Sequence, residues 1–164
     1  MKKFFKSLML ISVCLGLSAT VNAKTFRYAT TGDILGLDPH ANNEGPTNTM
    51  KGNIYGRMLH RKADLSLEPD LATKWEKLDA NTWRFSLRRG VKFHNGNDFN
   101  ADDVLFSYKR QTQEASDMSF ALATIKQINK VDDYTVDLIT KGPDPILLLN
   151  MPMFYIVDKE WIEA

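Results

Sequence analysis

Cysteine is nearly absent from this chain: among 164 residues only Cys14 occurs, and it lies within the first 23. No disulfide framework can therefore stabilise the rest, which must stand on packing. Histidine is also scarce. His40, His60 and His94 are the only three, and none stands three to five residues from another histidine or cysteine, the spacing a zinc site prefers. They read as surface or turn residues. A nucleophile elbow of the form Gly-x-Ser-x-Gly and a phosphate-cradling glycine loop are both missing, which removes the commonest hydrolase and nucleotide signatures. No apolar run approaches the roughly 20 residues that a membrane span requires. Charge of one sign is lacking as well. Twenty-one basic residues face 20 acidic ones, so there is no polybasic footprint for nucleic acid.

The N-terminus carries a clear signal. Lys2, Lys3 and Lys6 precede an apolar run from Leu8 to Leu17, and small residues then lead to Val21-Asn22-Ala23. This is the pattern of a secretory signal peptide, residues 1–23, cleaved after Ala23. Val13 before Cys14 is not the small residue that a lipoprotein signal places there. Cleavage leaves residues 24–164, with 18 basic and 20 acidic side chains and a net charge of −2. The expected mature chain is secreted, has no cysteine and does not insert into a membrane.

Along that chain, alternation over Thr25-Phe26-Arg27-Tyr28-Ala29 predicts a strand broken at Gly32. Pro39 holds Asp38 extended and opens a loop through Ala41 to Pro46. From Thr47 the spacing of Met50, Ile54 and Met58 predicts a helix with an apolar stripe, which Gly52 and Gly56 weaken. A turn at Pro69 to Ala72 leads to Trp75 in a short helical turn. The clearest strand follows: Trp83, Phe85 and Leu87 share one face while Arg84, Ser86 and Arg88 share the other. Asn95-Gly96 is a turn. Asn100 is a good N-cap for a helix running to about Thr112, with Asp102 and Asp103 in its first turn and Lys109 and Arg110 near its end. Val104, Leu105 and Tyr108 form its buried stripe. Ile125–Val131 and Tyr134–Thr140 predict a hairpin. After Gly142-Pro143-Asp144-Pro145, the run Ile146–Leu149 predicts a short helix that Pro152 cuts off. Asp158–Ala164 reads as the first turns of another helix.

These residues contain no catalytic constellation. Asp102 and Asp103 are adjacent on a helix and do not share a face, so helix-start charges explain them better than acid–base work. Arg88, Arg89, Lys92, Lys109 and Arg110 read as a solvated face. Trp75, Trp83, Phe85, Val91 and Phe93 read as structure.

Several segments in order, Leu37-Asp38-Pro39-His40, Pro69–Trp75, Trp83–Gly96, Phe99–Val104, Val131–Val136 and Asp158–Trp161, give the chain its family likeness. Together they resemble the family 5 extracytoplasmic solute-binding proteins, the oligopeptide, dipeptide and nickel receptors of ABC importers. The resemblance covers essentially all of residues 24–164. It implies an α/β fold of the periplasmic-binding-protein-like II class, a two-lobed receptor of which this chain is the N-terminal part: the start of lobe I and its inserted subdomain. It implies a periplasmic binding protein, not an enzyme, with a peptide or other small-molecule ligand and ABC importer permease subunits as partners. It implies no cofactor, catalytic residue or metal of its own.

By the same resemblance, the loop after Leu37-Asp38-Pro39-His40 meets the ligand, often through backbone groups, which maps to Asn43, Glu44 and Gly45 with Asn48 as a neighbour. An aromatic after the capped helix commonly faces the ligand, which maps to Phe120. Each has a plainer reading. Asn43, Glu44 and Gly45 also fit an exposed turn, and Phe120 also fits the core. Nickel chelate, haem, oligosaccharide or opine are alternative cargoes on the same fold, and a small standalone secreted enzyme or interaction domain is the reading from a different class.

Overall fold

The computed structural model describes residues 32–164 together with Thr25, Arg27 and Ala29. The chain divides into two units, Met1–Thr30 and Thr31–Ala164, and all helices and strands named below lie in the second. The signal peptide expected over residues 1–23 lies outside the described residues, as do Phe26 and Tyr28 of the first expected strand. Thr25, Arg27 and Ala29 are in neither helix nor strand. Among the described residues no helix is long and apolar enough to cross a membrane.

A four-stranded antiparallel sheet carries the core. Its strands are β3 (Ala72–Lys77), β4 (Thr82–Leu87), β5 (Ile125–Asp132) and β6 (Thr135–Thr140), in the order β3-β4-β6-β5. A separate two-stranded ribbon pairs β1 (Leu59–Arg61) with β2 (Leu67–Pro69). The alternation read in β4 sets its two faces. Phe85 lies opposite Val136, and both are fully buried. On the other face Arg84 lies opposite Asp137 and forms a two-pronged ion pair, with Nε and Nη2 each 2.8 Å from a carboxylate oxygen. One strand thus presents an apolar row to the core and a charged pair outward, as the period of two demands. Burial of a side chain such as Phe85 contributes roughly 1.5–3 kcal/mol.

The helical turn expected around Trp75 is strand β3 instead, with Trp75 opposite Phe85. Thr73 and Trp75 suit a pleated surface, and β4 offers an unpaired edge whose backbone groups need partners. The turn expected at Pro69 to Ala72 is a bend at Asp70-Leu71 that joins β2 to β3.

Helix α2 (Ala101–Gln111) packs on the sheet. Its start is the predicted one: Asn100 accepts from the Asp102 amide at 2.7 Å while Asp103 accepts from the Asn100 amide at 2.9 Å, a reciprocal capping box. The Asn95-Gly96 turn is also present, with Gly96 at φ 96°, a region open mainly to glycine. The predicted hairpin is β5–β6. Helix α3 (Leu147–Asn150) is short and ends before Pro152, as expected, and a 3₁₀ turn, Met151–Met153, carries the chain on through the proline. Proline at the start of such a turn loses an N–H that had no partner to bond.

The segment Phe154–Asp158 is buried throughout. It bonds β1's approach through Met58 N–H to Phe154 O and Ile156 N–H to Gly56 O. It meets α2 through Val157 N–H to Ser107 Oγ at 2.9 Å. It then enters α4 (Lys159–Glu163), capped by Asp158. Gly56 permits this arrangement, since a Cβ there would stand 2.9 Å from Leu71 Cδ1.

Candidate functional site

Helix α1 (Gly45–Ile54) buries an unexpected face. Its predicted stripe is turned outward, with Met50 39% and Ile54 38% exposed, and Met58 lies beyond its end in the core. The residues that α1 buries are Thr47 and Lys51, one turn apart on the same face. Both hold the preceding chain. Thr47 Oγ1 accepts from the Leu35 amide at 3.0 Å and donates to Glu44 Oε1. Lys51 Nζ donates to the Asn42 carbonyl. Gly45 and Pro46 belong to α1 rather than to the loop, with Pro46 in its first turn. Pro46 fits there because its fixed φ suits a helix start.

The loop's other end is fixed by a polar chain built on His40. His40 is 2% exposed, contrary to the surface role expected of it. Its Nε2 lies 3.0 Å from the Tyr155 carbonyl and its Nδ1 lies 2.9 Å from Arg110 Nη1. A carbonyl accepts and a guanidinium donates, so the ring is neutral with its proton on Nε2. Burial drives the His40 pKa down to about 4, and Arg110 and Lys51 push it further in that direction against the pull of Tyr155 and Asp38. Arg110 also grips Asp38 with two hydrogen bonds of 2.8 and 2.6 Å. That bond holds the Asp38 carboxyl down at about 2. Arg110 is therefore not part of a solvated face, because its charge is committed to Asp38.

Three successive carbonyls of the loop accept bonds from the body of the protein. His40 O accepts from Ser116 Oγ at 2.7 Å, Ala41 O from the Asp117 amide at 3.2 Å and Asn42 O from Lys51. A planar trans peptide places its N–H opposite its C=O. The Asn42 and Asn43 amides therefore point away from these partners, and among the described residues neither donates a hydrogen bond. Next to them, Asn48 Nδ2 donates to Asn43 Oδ1 at 2.8 Å, and Asn48 Oδ1 is buried without a partner. Among the described residues, two backbone donors and one buried side-chain acceptor are thus without partners at one turn.

Asn43 and Gly45 are exposed, and Glu44 and Asn48 are half-buried. Phe120 is 49% exposed on the 3₁₀ turn Ser119–Leu122, so it is not a core residue. Its segment begins just after Ser116 and Asp117, which hold the loop; the structure joins the two candidate segments through those backbone contacts. Lys51, Arg110, His40 and Ser116 were not expected to support the loop. Asp38 and Arg110 are 72 positions apart, and no local periodicity marks such a pair.

Asp103, Asp158 and Glu160 bring carboxylate oxygens within 4.8 Å of one another. The two aspartates are occupied as helix caps. Asp103 accepts from the Asn100 and Lys159 amides, and Asp158 from the Trp161 amide and the side chains of Asn95 and Asn97. Burial raises the Asp103 pKa against those amide bonds. The cluster ties α2, α4 and the Asn95-Gly96 turn together. A depression of about 470 Å³ lies nearby between α2 and α4, lined by Leu105, Phe106 and Ile162, and includes none of the candidate ligand residues.

Known proteins agree with this architecture. The family model for bacterial extracellular solute-binding proteins, family 5 Middle, matches residues 66–163. The dipeptide-binding protein of Escherichia coli K12 is 32% identical over 176 residues, covering 93% of this chain and 33% of that protein. Two solved structures superpose well. A binding protein from A. tumefaciens R10 in complex with mannopinic acid has a TM-score of 0.72 at 31% identity, covering 80% of this chain and 29% of its own. The periplasmic binding protein DppA from Helicobacter pylori, in complex with the peptide STSA, has a TM-score of 0.70 at 29% identity, covering 80% and 30%. The chain spans about a third of the length of the relatives it matches. With more than half of its residues matched by one family model, the chain belongs to the bacterial extracellular solute-binding proteins, family 5.

Proposed function

We propose that this chain is the N-terminal part of a periplasmic receptor that captures a peptide and delivers it to the permease subunits of an ABC importer. The observation that carries this reading is the open turn at residues 42–48. Its two outward N–H groups, unpartnered among the described residues, complement the carbonyl oxygens of a peptide backbone. The reading takes Asn43, Glu44, Gly45 and Asn48 as the ligand-facing turn and the exposed Phe120 as an apolar wall beside it. Support also comes from the relatives named for dipeptide and solved with a peptide. No group described here is placed for bond-making chemistry, and the role assigned is binding rather than catalysis. Secretion through residues 1–23, with cleavage after Ala23, supplies the location.

In this reading ligand stabilises the closed arrangement of two lobes, by as much as its affinity differs between closed and open states. Residues 24–164 alone then bind weakly or not at all. Calorimetry on the full-length receptor is expected to give saturable heat with Ser-Thr-Ser-Ala peptide and none with mannopinic acid. The reverse pattern overturns the peptide assignment and favours the opine reading, which the mannopinic acid complex of a relative supports. Tight peptide binding by residues 24–164 alone overturns the two-lobe mechanism.

A further inference from the structure

Lysine rarely disappears from solvent, because its long stem normally carries the ammonium to the surface. Lys51 is fully buried. A helix that needed only packing at this position would turn Met50 and Ile54 inward; α1 turns them outward and buries Thr47 and Lys51 instead. Both of those side chains end on the loop that leads into the helix, Thr47 on the Leu35 amide and Lys51 on the Asn42 carbonyl. Burial lowers the Lys51 pKa, and the nearby carboxylates of Glu44, Asp38 and Asp117 act to keep the ammonium charged.

The Asn42–Asn43 peptide is the point at which Lys51 acts on the turn. Its carbonyl is bound inward by the ammonium, so its N–H is turned out. A flip of that one peptide would bury the N–H beside a cation and leave the ammonium without its carbonyl acceptor, the costly outcome for a buried charge. We propose that Lys51 is a positioning residue: from the buried face of α1 it holds the Asn42 carbonyl and thereby aims the Asn43 N–H outward, as a donor to an acceptor oxygen of the ligand. This rests on the reading of residues 42–48 as the ligand-facing turn.

The test uses the full-length receptor labelled with ¹⁵N-asparagine, in wild type, Lys51→Met and Lys51→Arg forms. Lys51→Met keeps the length of the side chain and removes charge and donor. Its Asn42 and Asn43 amide resonances are expected to shift or broaden while those of Asn81 and Asn100 stay in place. Its affinity for Ser-Thr-Ser-Ala is expected to fall about tenfold, the value of one lost hydrogen bond to the ligand, with the melting temperature retained. Lys51→Arg, which keeps a cationic donor, is expected to restore both the resonances and most of the affinity.

Coincident Asn42 and Asn43 resonances in Lys51→Met and wild type overturn the proposal. So does a shift that leaves affinity unchanged, or an arginine variant no better than methionine. If wild type binds no peptide, the peptide reading fails by itself, and the amide resonances alone decide the clamp: movement supports it and constancy overturns it. Should Lys51→Met not fold, Lys51→Gln, uncharged and shorter, takes its place in the same comparison.

Discussion

Acidification should destabilise the protein through His40 in a definable window. In the fold, His40 donates from Nε2 to the Tyr155 carbonyl and accepts at Nδ1 from Arg110. A second ring proton would meet the guanidinium head-on. Burial, with the Arg110 charge adding to it, lowers the imidazole pKa from 6.5 to about 4. Its unfolded form binds a proton near 6.5, so between those values the unfolded chain holds more protons than the folded one. Stability from this group is therefore complete above pH 6.5 and is lost as pH falls toward 4. The gap corresponds to about 3 kcal/mol for this fully buried ring. Urea unfolding at several pH values in that range, on wild type and His40→Gln, measures it. Glutamine keeps a donor for Tyr155 O and cannot titrate. The difference between the two proteins cancels carboxylates common to both; Asp38, held at about 2, loses its own contribution only below its ordinary 3.8. Equal acid losses in wild type and His40→Gln would refute the argument.

Core and backbone substitutions give three further expectations. Phe85→Ala empties a fully buried site facing Val136 and should cost about 3–5 kcal/mol in urea unfolding, clearly more than Trp83→Ala, because Trp83 is only partly buried; equal losses would count against the burial argument. Leu65 is 71% exposed and sits at φ 69° in the β1–β2 turn, a conformation that costs an L side chain about 1–2 kcal/mol. Leu65→Gly should therefore raise the melting temperature, and a decrease would contradict the strain. Gly56→Ala drives a methyl to 2.9 Å from Leu71 Cδ1 and should cost about 1–3 kcal/mol, a loss that Leu71→Ala in the same chain should partly relieve.

Elements specified by local chemistry were readable from sequence. The alternation of Trp83, Phe85 and Leu87 describes β4, the Asn100–Asp103 spacing describes a cap that closes as drawn, and Asn95-Gly96 describes its turn. Where a distant partner decides, local pattern misleads. Trp75 joins a strand because β4 offers it an edge, and the apolar stripe of α1 faces outward because Thr47 and Lys51 have polar work to do inside. His40 looks like a loop residue until Tyr155 and Arg110, 115 and 70 positions away, arrive around it. The likeness of Leu37-Asp38-Pro39-His40 to its family drew attention to this loop. It did not reveal that the aspartate and histidine anchor that loop to α2.

The anchoring explains why His40 has to be neutral. An apolar contact tolerates small slips, whereas a hydrogen bond fixes both position and direction. Residues 38–44 are held chiefly by such bonds: a carboxylate, an imidazole and three consecutive carbonyls. Orienting the Asn42 carbonyl requires Lys51, and fixing Asp38 requires Arg110. These two cations converge on one small buried region, and both lower the pKa of the imidazole between them. The same charges that set the loop's geometry thus add to burial in excluding a third, and the acid sensitivity of His40 follows from its buried place between them.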